Sequence, residues 1–299
     1  RVNIDNKLTA VTYGYPSAVH VDPVEKKPLN HFLPGSSILS IATVGCNLHC
    51  KNCQNWQISQ KNPEDSRAYH LPPDQIPALA RRHGCRSVAY TYTEPLVYYE
   101  YTLDSCITSR EKGLKNALVT AGYINDKPLR ELCRFVDAAN IDLKAFSDTF
   151  YREICSATLK PVLNTLTVAK SLGVLVEVTN LLIPTLNDKD RQIRDLCRWI
   201  ASNLGKETPL HFSRFHPQYR MQNLPATPAT LMEKARQIAE SEGLKHVYAG
   251  NVFMKDASNT HCPICGTLLV ERRGYRILQN MIKNGKCPEC RKEIYGLWK

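Results

Sequence analysis
Short apolar runs rich in β-branched residues recur along the chain: Ile38–Val44, Ser87–Tyr92, Asn116–Thr120, Asn140–Leu143, Val174–Ile183 and Leu210–Phe215. Their composition predicts strands. Between them lie stretches whose apolar residues recur at helical spacing, and these predict helices over Pro73–His83, Asp126–Ala138, Lys160–Leu172, Asp188–Asn203 and Thr227–Glu242. Gly173 and Gly243 stand just past two of those ends, where helices commonly stop.

Such alternation predicts an α/β fold with a parallel sheet, and six units suit an incomplete (β/α)6-type TIM barrel, with a doubly wound sheet as the alternative. The polar residues favour the barrel. Cys46, Glu94, Thr120, Asp142, Lys144, Asn180 and His216 each fall at or just past the carboxyl end of a predicted strand. Barrel enzymes build their sites there.

The periodicity fades over residues 251–260, and paired cysteines, glycines and basic residues follow. We therefore expect an N-terminal strand and loop extension over 1–35, a barrel over 36–257 and a small module over 258–299. The opening residues predict a hairpin and a loop laid over the barrel. No apolar run approaches the roughly 20 residues of a spanning helix, so we expect no membrane span and a cytoplasmic location.

Twelve cysteines occur in 299 residues. Cys85, Cys106, Cys133, Cys155 and Cys197 are scattered and read as small buried hydrophobes. Cys46, Cys50 and Cys53 spell CxxxCxxC on a loop leaving the first predicted strand. Cys262–Cys265 and Cys287–Cys290 form two CPxC knuckles. Neighbours this close suit metal thiolates better than disulfides. The second set offers four ligands, which fits a structural zinc ion, with a rubredoxin-like iron as the runner-up. The first set offers three. Three thiolates suit a 4Fe-4S cluster with one iron left open, or a zinc ion completed by His49 or a remote cysteine.

Metal thiolates also change the charge argument, because they lower the formal +11 to about +8. Part of the remaining excess lies in the tail, where Arg272, Arg273 and Arg276 crowd the second cysteine set. Basic character alone thus argues weakly for a nucleic-acid partner.

CxxxCxxC after the first strand of a β-α barrel resembles the signature of the radical SAM enzymes. That resemblance implies an oxidoreductase-type enzyme in which S-adenosylmethionine binds the open iron, is cleaved by an electron from the 4Fe-4S cluster, and yields a 5'-deoxyadenosyl radical that abstracts hydrogen from a substrate. Tyr92-Thr93-Glu94-Pro95 resembles the family's Gly-Gly-Glu-Pro segment, which implies that Thr93 and Glu94 meet the cofactor's amino group. Asp142-Leu143-Lys144 resembles the Asp-x-Lys motif of the pyruvate formate-lyase activating enzymes, which implies a role in holding the cofactor's ribose and carboxylate, or a monovalent cation near it. His216 occupies the place of a histidine after the sixth strand in those activators, and Asn180 is a candidate for contact with the adenosine. Two departures stand out. Val119 replaces the aspartate of the activators' cation site, and Asn52 replaces an aromatic residue before the third cysteine.

A closer resemblance, to the radical SAM enzymes of the AmmeMemoRadiSam system, runs from about residue 10 to the end. It rests on Tyr13-Gly14-Tyr15, the run Val21–Leu29, His31–Gly35, Gly45–Leu48 and Cys53–Trp56. It implies a Memo-like protein partner by association. Those proteins carry a cysteine-rich knuckle upstream of the position of Arg1, so a longer natural chain is expected. An electron donor such as a flavodoxin or ferredoxin is implied as well. Three uses of the radical follow: modification of a metabolite or protein, activation of a glycyl-radical enzyme, or RNA modification. The reading from a different class is a purely structural zinc protein.

Overall fold
The computed structural model describes residues 1–299. Its strands are β1 (Val2–Ile4), β2 (Lys7–Thr9), β3 (Ala18–Pro23), β4 (Ser37–Ala42), β5 (Ser87–Tyr90), β6 (Lys115–Thr120), β7 (Ala138–Asp142), β8 (Leu175–Leu182), β9 (Leu210–Arg214), β10 (Val247–Gly250), β11 (Thr260–His261), β12 (Leu268–Arg273) and β13 (Arg276–Asn280). The helices are α1 (Trp56–Ser59), α2 (Ile76–Arg82), α3 (Tyr99–Glu111), α4 (Asp126–Cys133), α5 (Asp148–Phe150), α6 (Leu159–Ser171), α7 (Asp190–Asn203) and α8 (Ala229–Ser241).

Strands β4 to β10 lie side by side in sequence order and all pair in parallel, while β3 caps one edge antiparallel to β4. A doubly wound sheet would reverse direction part-way. This sheet does not, and β10 does not pair with β3, so it is an open barrel. It has one parallel strand more than the six expected, β10, a four-residue run ending in glycine.

Residues of β5 are buried throughout, as in a parallel sheet covered on both sides. Helix α7 supplies such cover by placing Ile193, Leu196, Cys197 and Ile200 on one buried stripe. Each aliphatic side chain so buried contributes roughly 1.5–3 kcal/mol.

The amino ends of the strands are plugged from both ends of the chain. Val24, Leu29, Phe32 and Leu33 pack with Ala117, Ala138 and Leu175 at the sheet, and Tyr295 and Leu297 join them. Leu297 exchanges backbone hydrogen bonds with His31 and Leu33, each at 2.7 Å. Gly296 makes this crossing possible, because a Cβ there would lie 2.7 Å from the His31 carbonyl and from the Trp298 ring. Buried polar groups complete the plug. Glu177 accepts the backbone N–H of His31 at 2.7 Å and pairs with His211 at 2.6 Å, and Arg272 donates to the Asn30 carbonyl at 2.8 Å. Blocking this end leaves the carboxyl end of the barrel as the open one.

Candidate active site at the carboxyl ends of the strands
The loop after β4 carries the three clustered cysteines and is held by its backbone. His49 N–H donates to the Cys155 carbonyl at 3.0 Å, Lys51 N–H to that of Ile154 at 2.9 Å, and the Lys51 carbonyl accepts Arg220 N–H at 3.1 Å. The partners of the first two bonds sit in the π-helical turn Tyr151–Cys155. Cys50 is buried, and Cys46 and Cys53 are half-buried. Leu48 N–H points at the Cys46 sulfur from 3.4 Å, and the Ser59 hydroxyl lies 3.1 Å from that of Cys53. Burial, reinforced by the nearby Glu94 charge, pushes the Cys46 thiol up to about 12. The buried Cys155 thiol beside it holds the Cys50 thiol below its ordinary value. Cys155, which the sequence offers only as a small hydrophobe, thus stands beside a cluster cysteine.

Glu94 follows β5 and is 2% exposed. Its carboxylate accepts the Thr120 hydroxyl at 2.5 Å, Ala121 N–H at 2.8 Å and Leu96 N–H at 3.2 Å. Burial outweighs these donors and raises its carboxyl to about 7. Three donors fill three of a carboxylate's four acceptor positions. The Thr93 hydroxyl is turned away, donating to the Thr43 carbonyl at 2.7 Å. Tyr92 stands where the resembling motif has glycine, and its φ is +64°, a conformation that glycine adopts freely.

Asp142 and Lys144, on one face by alternation, form an ion pair at 2.9 Å. Burial alone would lower the Lys144 ammonium, but Asp142 and the thiols of Cys50 and Cys155 hold it well above its ordinary value. Asn180 is 2% exposed and spends its amide on the strand end, donating to the carbonyls of Leu143 at 2.7 Å and Lys144 at 3.2 Å. Asn187 adds a bond to the same Lys144 carbonyl at 2.8 Å. His216 is exposed after β9 and makes no hydrogen bond. Asn187 and Tyr151, whose hydroxyl accepts Lys144 N–H at 3.0 Å, carry no motif that marks them in the sequence. Asn55 sits two residues past Cys53, and its amide donates to the Tyr92 carbonyl at 2.7 Å.

The donor set fits an iron-sulfur cluster better than a single ion. The sulfurs of Cys262, Cys265, Cys287 and Cys290 all lie within 4.8 Å of one another, as ligands of one ion must. His49, which could complete a zinc site on the three-thiol loop, is engaged elsewhere, with Nδ1 2.8 Å from the Gln60 amide oxygen. Asn52 Oδ1 is buried in the same loop without a partner, as befits a site completed by something other than protein.

The family model of the Radical SAM superfamily matches residues 40–199, which contain this loop, Glu94 and the Asp142–Lys144 pair. The chain belongs to the radical SAM superfamily. A similar chain, an uncharacterized protein of Methanocaldococcus jannaschii, is 45% identical over 296 residues, covering 98% of this chain and 88% of that protein. A pyruvate formate-lyase-activating enzyme of Clostridium pasteurianum is 26% identical over 178 residues, 58% of this chain and 72% of the relative. The structure of Streptococcus suis SuiB bound to S-adenosylmethionine shares the fold, with a TM-score of 0.56 at 14% identity over 76% of this chain and 52% of that one. Membership makes this chain a radical SAM enzyme and implies S-adenosylmethionine and an iron-sulfur cluster.

The second cysteine set lies elsewhere on this radical SAM enzyme. Its module, β11 to β13 with the cysteine knuckles, has a small core of Cys262, Leu269, Val270, Cys287 and Ile294. With so little apolar burial, an ion held by the four sulfurs would supply much of the module's folding energy. The Tyr295 hydroxyl bonds to Val176 N–H at 3.0 Å, at the amino end of β8, so the module docks on the plugged end of the barrel. Arg272 is 6% exposed and spent on internal carbonyls, which removes it from any basic surface of the module. No helix is long and apolar enough to cross a membrane.

Proposed function
We propose that this radical SAM enzyme holds a 4Fe-4S cluster on Cys46, Cys50 and Cys53 and takes hydrogen from a metabolite or protein substrate bound over the carboxyl ends of the strands. The observation that carries this reading is the loop of three free thiols after β4, set beside the Asp142–Lys144 pair. When bound, the cluster supplies the electron that cleaves S-adenosylmethionine, giving the 5'-deoxyadenosyl radical that abstracts hydrogen.

The remaining work belongs to the chain. The Lys144 ammonium offsets the negative charge of the thiolates and, with Asp142, offers one group to the cofactor's carboxylate and one to its ribose. Glu94 keeps an acceptor for the amino group, with Thr93 setting the backbone beside it. Asn180 fixes the end of β7 against β8 and borders the adenosine, and His216 stands free at the rim to meet cofactor or substrate. The plug at the amino ends restricts entry to the opposite face. The four gathered sulfurs of the C-terminal module suit tetrahedral zinc. A flavodoxin or ferredoxin serves as reductant, and a Memo-like protein partner rests on the resemblance alone.

Activation of a glycyl-radical enzyme is the second reading. The Asp142–Lys144 pair and the similarity to the Clostridium activating enzyme favour it, and it requires a partner protein with a glycine loop. RNA modification is less well supported, since the basic module sits at the plugged end and one of its arginines is buried. The test is anaerobic reconstitution with iron and sulfide, then dithionite and S-adenosylmethionine. We expect 5'-deoxyadenosine from the native chain and none from Cys53→Ala. Equal yields from both would overturn the assignment.

A further inference from the structure
Thr93 N–H donates to the Thr91 carbonyl at 2.8 Å, two residues back, and the residue between them, Tyr92, has φ +64°. This is a γ-turn of the strained hand, rare even for small residues and unusual for a bulky aromatic one. Strained backbone persists only where the surroundings over-determine it. Here they do. The Tyr92 carbonyl is gripped by the Asn55 amide, and its ring lies 4.2 Å beneath the Lys27 ammonium with His20 edge-on at 5.8 Å. Its hydroxyl donates a short hydrogen bond to Asp22. Lys27, 2% exposed, pairs with the same Asp22 oxygen at 2.7 Å, and Lys26 takes the other oxygen at 2.8 Å.

Asp22, Lys26 and Lys27 come from β3 and the turn after it, the segment that edges the sheet beside β4. Burying a lysine and an aspartate is costly unless every contact is made. If the pair only fastened this segment to the sheet, the residue it clamps could have an ordinary backbone. Instead, the clamped residue is the strained one, and it immediately precedes Thr93 and Glu94.

We propose that Asp22, Lys27 and Tyr92 form a strap by which the N-terminal segment sets the backbone of the Thr93–Glu94 loop, doing with an anchored side chain what a glycine would do by conformational freedom. Tyr92 is thus a positioning residue that acts through the backbone of Thr93 and Glu94. The idea rests on the proposed role of Thr93 and Glu94 in holding the cofactor.

The test separates side chain from backbone. Tyr92→Ala keeps a β-carbon at the strained position and loses the anchor, whereas Tyr92→Gly loses both anchor and strain. In the full chain, hydrogen exchange of the peptide spanning residues 91–97 should quicken by about tenfold to a hundredfold in Tyr92→Ala and in Asp22→Ala. It should stay near native in Tyr92→Gly, and the peptide spanning β7 should be unchanged in all three. With reconstituted protein, Tyr92→Ala should raise the KM for S-adenosylmethionine with little change in kcat, and Tyr92→Gly should restore it. Equal behaviour of the Ala and Gly variants, or native exchange in Asp22→Ala, would overturn the strap. Exchange as expected, without any effect on cofactor KM, would leave the strap in place and overturn the proposed role of Thr93 and Glu94.

Discussion

Glu94 shows how a single side chain ties burial to function. Sealed at 2% exposure, its carboxyl titrates near 7 because desolvation disfavours the charged form more than three donors favour it. A cation bound beside it prefers the carboxylate. As pH rises through about 7 the carboxylate forms, so S-adenosylmethionine should bind the reconstituted protein more tightly at pH 8 than at pH 6. Titrations by calorimetry across that range should show the rise, and Glu94→Gln, which keeps the shape without the charge, should flatten it. An unchanged pH profile in Glu94→Gln would remove Glu94 from the cofactor's charged contacts. The motif made Glu94 legible in the sequence, but not its partners. Thr120 reaches it from the neighbouring strand, and Cys155 reaches Cys50 from a turn more than a hundred residues on, contacts created by the fold and unmarked by local spacing.

Among the elements, the six predicted parallel strands match β4 to β9 because runs buried on both faces leave an apolar stretch that reads directly. Helix α3 left no such trace. Its buried face is Tyr101, Thr102, Ser105, Cys106 and Ser109, mostly small and polar, so no apolar stripe announces it. Strand β10 is too short to stand out. The helix expected over Asp126–Ala138 stops at Cys133, since Ala138 already belongs to β7. The C-terminal crossing is equally hidden, because its need is steric. Gly296→Ala should place a methyl carbon against the His31 carbonyl and the Trp298 ring. We expect a loss of about 2–4 kcal/mol of stability, seen in denaturant titration, with the tail becoming sensitive to protease. A variant as stable and as protease-resistant as the native chain would show that the crossing tolerates rearrangement.

Across the whole molecule, the two cysteine sets divide between opposite ends of one barrel. The four-thiol module and the N-terminal segment close the amino ends of the strands, and the three-thiol loop occupies the carboxyl ends with Glu94, Asp142 and Lys144 around it. The spacing of the cysteines made two separate sets legible in advance, since three ligands on one loop differ from two paired knuckles. Which end the module would close was not legible, because docking depends on Tyr295, Leu297 and Arg272 meeting residues from the other terminus. The central claim is that the three-thiol loop carries a cluster with an iron free to take the cofactor. Electron paramagnetic resonance of the reduced, reconstituted protein, before and after adding S-adenosylmethionine, tests it most directly. A 4Fe-4S signal that shifts on addition and is lost in Cys50→Ala is the predicted result, and a signal indifferent to the cofactor, or persisting in that variant, would contradict it.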